Sequence, residues 1–171
     1  MIFKSYLIEK NLTPINNTKL ALFYGENNGL KKDFKDKIKA ANNKYEKITF
    51  FCDEIVKNKD ILINEINNRS LFNTLKLIFI EQANDKIVEI LEHSEKIIEE
   101  EKIYLFSETL DKKSKLRQYF EKSKKHGIIP CYQDNEINIK NLIREKLKKY
   151  EGLTPEIINL IADNSNLERG K

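Results

Sequence analysis

The chain has 171 residues, 40% of them hydrophobic, and 31 Lys plus Arg stand against 27 Asp plus Glu for a formal net charge of +4. That length can bury a core without disulfides or a structural metal, and so mild a positive balance lacks the concentrated charge of a dedicated nucleic-acid binder. No run of about 20 apolar residues occurs, and the opening MIFKSYLIEK carries charge where a signal peptide needs its apolar core, so a soluble, cytoplasmic protein with no membrane partner is expected.

Apolar runs recur along the chain at residues 19–25 (KLALFYG), 47–53 (KITFFCD), 75–82 (LKLIFIEQ), 102–109 (KIYLFSET) and 127–133 (GIIPCYQ). Each is short, rich in β-branched and aromatic residues and nearly continuous, which predicts strands buried on both faces. Helical patterns lie between them, through Phe34, Ile38 and Ala41, then Ile61, Leu62 and Ile66, then Ile87, Ile90 and Leu91, then Leu116, Tyr119 and Phe120. Strand and helix alternating at this spacing predict an α/β fold, a five-stranded parallel sheet flanked by helices.

After the fifth strand an amphipathic helix is expected through Ile137, Leu142, Ile143 and Leu147, ending near Gly152. Thr154 as N-cap and Pro155 at the first helical position then start another. The expected organisation is a first domain over 1–135 and a partial helical domain over 136–171.

The segment FYGENNGLKKDF joins the first strand to the first helix, where a phosphate loop would present backbone N–H groups and a helix N-terminus to an anion. Measured against G-x-x-x-x-G-K-[ST], Gly25 and Gly29 are one residue too close, Leu30 stands in the place of the Lys, and no Ser or Thr follows for Mg²⁺. The third strand ends Ile80-Glu81-Gln82, without the acidic pair that would hold the metal. Gly25 and Gly29 are therefore read as a degenerate phosphate loop, with no nucleotide and no other cofactor expected. A phosphoacceptor-domain reading fails too: it needs paired carboxylates, an Asp and a Lys where this chain has Glu26, Glu81 and Cys131-Tyr132.

Cys52 and Cys131 sit inside apolar runs, outside any metal-ligand spacing, and are expected to be reduced core thiols. His93 and His126 share no ligand pattern, and surface positions are expected for both. Residues 110–127 carry Lys112, Lys113, Lys115, Arg117, Lys122, Lys124 and Lys125, which are either the solvated face of a helix or a phosphate-contacting patch. Leu71 and Phe72 lie between Asn67-Asn68-Arg69-Ser70 and Asn73-Thr74, either closing the core at a strand entrance or held out for a partner.

Four stretches, LALFYGENNGLKKDF, SLFNTLKLIFIEQANDK, IYLFSETLDKKSKLRQYFEK and NIKNLIREKLKKYEGLTPEIINLIADNSNLERGK, in this order, resemble the delta subunit of the bacterial DNA polymerase III clamp loader. The SLF before the third strand and the LDKKSKL after the fourth are the specific ones. The resemblance implies an AAA+-like first domain without ATPase capability, no catalytic or metal-binding residues, and a role in binding and opening the ring-shaped sliding clamp (the beta subunit). It places the clamp anchor on Leu71 and Phe72, flanked by Ser70 and Asn73, and makes the partners the clamp, the other loader subunits and, through the complex, DNA. It also implies that 136–171 begin a helical lid, with the next lid helix starting at Asn164 to Arg169. The alternatives from the residues are a divergent P-loop transferase using Gly25 to Lys32, or a simple nucleic-acid-binding domain using the 111–125 lysines.

Overall fold

The computed structural model describes residues 1–68 and 75–169. Five parallel strands, β1 (Leu20–Tyr24), β2 (Glu46–Phe51), β3 (Lys76–Glu81), β4 (Lys102–Ser107) and β5 (Gly127–Pro130), form one sheet in the order β2-β3-β4-β1-β5. The helices are α1 (Ser5–Lys10), α2 (Thr13–Asn16), α3 (Asn28–Ala41), α4 (Cys52–Lys57), α5 (Asp60–Asn67), α6 (Val88–Ser94, entered through a 3-10 turn at Asp85–Ile87), α7 (Lys115–Lys122), α8 (Glu136–Leu147) and α9 (Pro155–Asn164).

The continuous apolar runs resolve into two alternating sets because successive strand side chains point to opposite faces. Leu20, Leu22, Ile78, Ile80, Ile103, Leu105 and Ile128 pack against Ile55, Leu62, Leu91, Leu116 and Phe120 from α4 to α7. Ala21, Phe23, Leu77, Phe79, Tyr104 and Phe106 pack against Ile8, Ile15, Leu30, Phe34 and Ile38 from α1 to α3. Phe23 stacks on Phe106 with centroids 5.0 Å apart and leans on Phe34 at 5.3 Å. The Tyr104 hydroxyl, buried among them, donates to the Ile15 carbonyl at 3.0 Å.

Several expectations need correction. The second run is an edge strand, and the Lys47 and Phe51 side chains are exposed, because β3 is its neighbour on one side only. It also ends earlier: Cys52 begins α4, where the Glu54 carboxylate accepts from the Phe51 N–H at 3.0 Å. α1 and α2 carried no visible period, being short and burying only Ile8 and Ile15. α8 stops at Leu147, five residues before Gly152, and buries Ile139 and Ile143 while Ile137 is 69% exposed. α9 does begin at Pro155, with the Thr154 hydroxyl accepting from Ile157 N–H at 3.4 Å. No helix begins at Asn164 to Arg169: Asn166 and Leu167 have φ of +48° and +61°, the left-handed region that interrupts a right-handed helix. Both cysteines are free and buried, as expected.

His126 is buried, contrary to expectation. Its ring lies 5.3 Å from Tyr119 and 5.6 Å from Phe120, and Nε2 is 3.0 Å from a Glu95 oxygen that shares its carboxylate with the Tyr119 hydroxyl at 2.8 Å. Nδ1 has no partner among the described residues, so the neutral tautomer with Nε2–H leaves no donor stranded. Burial holds this imidazole below its ordinary pKa, with the N-terminal ammonium and Lys125 pressing the same way and Glu95 opposing. Because the folded-state pKa is depressed, the unfolded chain takes up the proton first and stability falls as pH drops through the ordinary histidine range. Melting temperature should decrease between about pH 7 and about pH 5.5, and His126→Gln should flatten that slope in a pH series of thermal melts. An unchanged slope would assign the sensitivity to other groups.

Candidate functional site

In parallel α/β sheets, ligands collect outside the carboxyl ends of the strands, and here the turn from β1 to α3 occupies that edge. Gly25 has φ +135°, and a Cβ there would stand 2.2 Å from the Cys131 carbonyl oxygen. Its N–H donates to the Glu108 carbonyl at 3.3 Å, and the next bonds tie the turn to the chain leaving β5. The Asn27 N–H donates to the Cys131 carbonyl at 3.0 Å, and the Glu26 carboxylate accepts from the Gln133 N–H at 3.0 Å, which holds Glu26 below the usual carboxylate range.

Asn27 caps α3. Its side-chain oxygen accepts from the Leu30 N–H at 2.9 Å while its amide nitrogen donates to the Tyr132 carbonyl at 3.1 Å and to Asp134 at 2.7 Å. The first-turn N–H that an anion could have used is thus taken by the chain's own cap. Lys31 is buried and turned inward, its ammonium donating to the Ser107 carbonyl at 2.8 Å and lying 3.5 Å from Glu108.

Against the first turn of α3 lies Arg169. Its guanidinium grips Asp134 with Nε at 2.5 Å and Nη2 at 2.8 Å, and Nη1 donates to Glu9 at 2.5 Å and stands 3.4 Å from Asp33. A Cβ on Gly29 would meet the Arg169 Cβ at 2.5 Å and its carbonyl oxygen at 2.7 Å. Burial alone would lower the Arg169 pKa, but its bonds to Asp134 and Glu9 outweigh this and hold it above its ordinary value. Glu9, Asp33 and Asp134 are thus occupied by the chain's own guanidinium, and the Arg169 backbone fills the space against Gly29 in the first turn of α3. Among the described residues no group of three or more His, Cys, Asp or Glu could hold a metal.

Sequence reasoning placed Gly25 and Gly29 at this turn but missed Asn27, Lys31, Asp134 and Arg169. Asn27 could have been found as an N-cap ahead of a helical pattern. The others have no local signal, since Glu9, Asp33, Asp134 and Arg169 meet only in the folded chain.

Ser70, Leu71, Phe72 and Asn73 lie outside the described residues. The flanks of that segment are fixed. Lys76, buried at the start of β3, donates to the Glu65 carbonyl at 2.7 Å, to the Asn68 carbonyl at 2.5 Å and to the Glu65 carboxylate, joining the strand to the end of α5.

Lys112 and Lys113 precede α7 and Lys122, Lys124 and Lys125 stand at its far end, about 12 Å away for a helix of this length. Arg117 is held by Glu121 at 2.8 Å and lies 5.2 Å over the Tyr24 ring.

The five strands, all parallel and in this order with helices on both faces, make a layered parallel α/β domain. Among solved structures it is similar to the Bacillus subtilis DNA clamp loader delta protein, with a TM-score of 0.61 and 14% identity over 94% of this chain and 56% of that one. A Rhizobiales Trip13 matches with a TM-score of 0.54 and 12% identity over 94% of this chain and 66% of that one. A DNA replication initiation factor matches with a TM-score of 0.50 and 18% identity over 93% of this chain and 54% of that one. At these identities the likeness is one of fold, and the chain spans between about half and two thirds of each relative's length. No family model matches the sequence, and no curated protein sequence does. Among the described residues no helix is long and apolar enough to cross a membrane.

Proposed function

We propose that the chain works in DNA replication as a delta-type clamp-loader module, a cytoplasmic protein that binds the ring-shaped sliding clamp and favours its open form without hydrolysing ATP itself. The reading is supported by the fold likeness to a clamp loader delta protein over 94% of the chain. The Leu71-Phe72 pair, with Ser70 and Asn73 beside it, is the anchor for the clamp, and residues 136–171 belong to a helical lid that follows the first domain near residue 135. Opening a ring needs only a ligand with higher affinity for the open form than for the closed one, so ATP hydrolysis by this chain is not required for that step. Loading onto primed DNA is left to ATP-driven loader subunits.

The turn after β1 supports an ATP-independent role, because Lys31 is engaged with Ser107, Asn27 caps α3 and Arg169 packs against Gly29 in its first turn. The expected result is that the sliding clamp of the same organism is retained on the immobilised chain equally with and without ATP and Mg²⁺, and that calorimetry detects no micromolar ATP binding. Clamp retention that depends on ATP, or no retention at all, would overturn the reading.

A further inference from the structure

We propose that Glu9, Asp33 and Asp134 form a guanidinium-binding site whose resident ligand is Arg169, and that this contact latches the α8–α9 pair onto the sheet domain. The acids come from separate places in the chain, Glu9 from α1, Asp33 from α3 and Asp134 from the segment between β5 and α8. They surround one planar cation. Asp134 receives two parallel N–H bonds, a fork geometry that a guanidinium matches and an ammonium cannot. Asp134 is itself held in place by the Asn27 amide at 2.7 Å, so the principal acceptor is positioned before the cation arrives.

The chain adopts an unfavourable backbone to deliver this side chain. After α9, Asn166 and Leu167 both take left-handed φ values, uncommon for residues other than glycine, and the turn brings Arg169 back to α3 with only 5% of its side chain exposed. Gly29, lacking a side chain, leaves the space that the Arg169 backbone occupies. The α8–α9 pair closes its own small core through Ile139, Ile143, Ile158 and Ala162, distinct from the two cores of the sheet. Ion pairs join it to the sheet domain, from Arg169 and, at 3.8 Å, from Lys146 to Asp33. Removing Arg169 would leave the buried Asp134 carboxylate without its cation, the circumstance in which a lost partner weakens a structure most.

Clamp binding plays no part in this latch, and chemical rescue in the whole chain tests it. In Arg169→Ala, amide hydrogen exchange across α9 should accelerate by about tenfold or more while β1 and β4 keep their protection, because the latch governs a local opening. Millimolar methylguanidinium should restore the α9 protection, and the same concentration of methylammonium should not. Arg169→Lys should behave like the methylammonium sample. Unchanged exchange in Arg169→Ala, equal acceleration in β4, or equal rescue by the two cations would each overturn the proposal.

Discussion

Replacing Leu71 and Phe72 together by alanine is expected to weaken sliding-clamp binding by on the order of 100-fold or more, since fully burying each side chain at an interface is worth roughly 1.5–3 kcal/mol and such anchors behave as hot spots. The melting temperature should stay nearly constant. The contrast with a core role is large enough to measure: Leu→Ala and Phe→Ala in a core each cost about 2–5 kcal/mol, and every 1 kcal/mol moves the midpoint of a domain this size by about 2–4 °C. A double variant that melts about ten or more degrees lower would place the pair in the core and remove the anchor from the proposed function. Lys76 makes the experiment clean, because its bonds to Glu65 and Asn68 hold the strand and helix on either side independently of the pair.

Gly25→Ala should be the most damaging glycine substitution, costing about 3 kcal/mol or more and lowering the melting temperature by roughly 6–12 °C. Two costs add there. The residue has φ +135°, where an L side chain is strained, and its new Cβ would overlap the Cys131 carbonyl at 2.2 Å, an atom fixed in the chain leaving β5. Relief requires the turn to withdraw from residues 131–133, which breaks the Asn27-to-Cys131 and Gln133-to-Glu26 bonds. Gly152→Ala is the control: its φ is +82°, but an added Cβ would meet nothing within 4 Å, so only the backbone cost of about 1 kcal/mol should appear. Equal effects at the two positions would show that the close approach at Gly25 carries no weight.

What the sequence discloses here follows from the range over which each force acts. The sheet was legible because a strand covered by helices on both faces is apolar along nearly all its length, and runs such as Lys76–Glu81 are too short for a helix and rich in β-branched and aromatic residues. Edge position is a property of the partner order, so the exposure of β2 could not be read from KITFFCD itself. His126 follows Lys124 and Lys125, and its surroundings advertise a surface; its burial comes from Tyr119 and Phe120 one helix back and Glu95 at the end of α6. The phosphate-loop defects at Leu30 and after were visible in a dozen consecutive residues, whereas the Lys31–Ser107 bond and the Arg169–Asp33 contact join positions more than 70 and more than 130 residues apart.

The positions of the two cysteines give the sheet a built-in reporter for each of its faces. Cys52 belongs to the core shared with α4 to α7 and Cys131 to the core shared with α1 to α3, and burial pushes both thiols up, Cys131 to about 12. A thiol so protected from ionisation reacts with an alkylating reagent only when its surroundings open. Modification of Cys52 therefore times the loosening of one helical layer and modification of Cys131 the other, so that mass spectrometry of a single labelled sample distinguishes a chain that comes apart at once from one that sheds its layers in sequence.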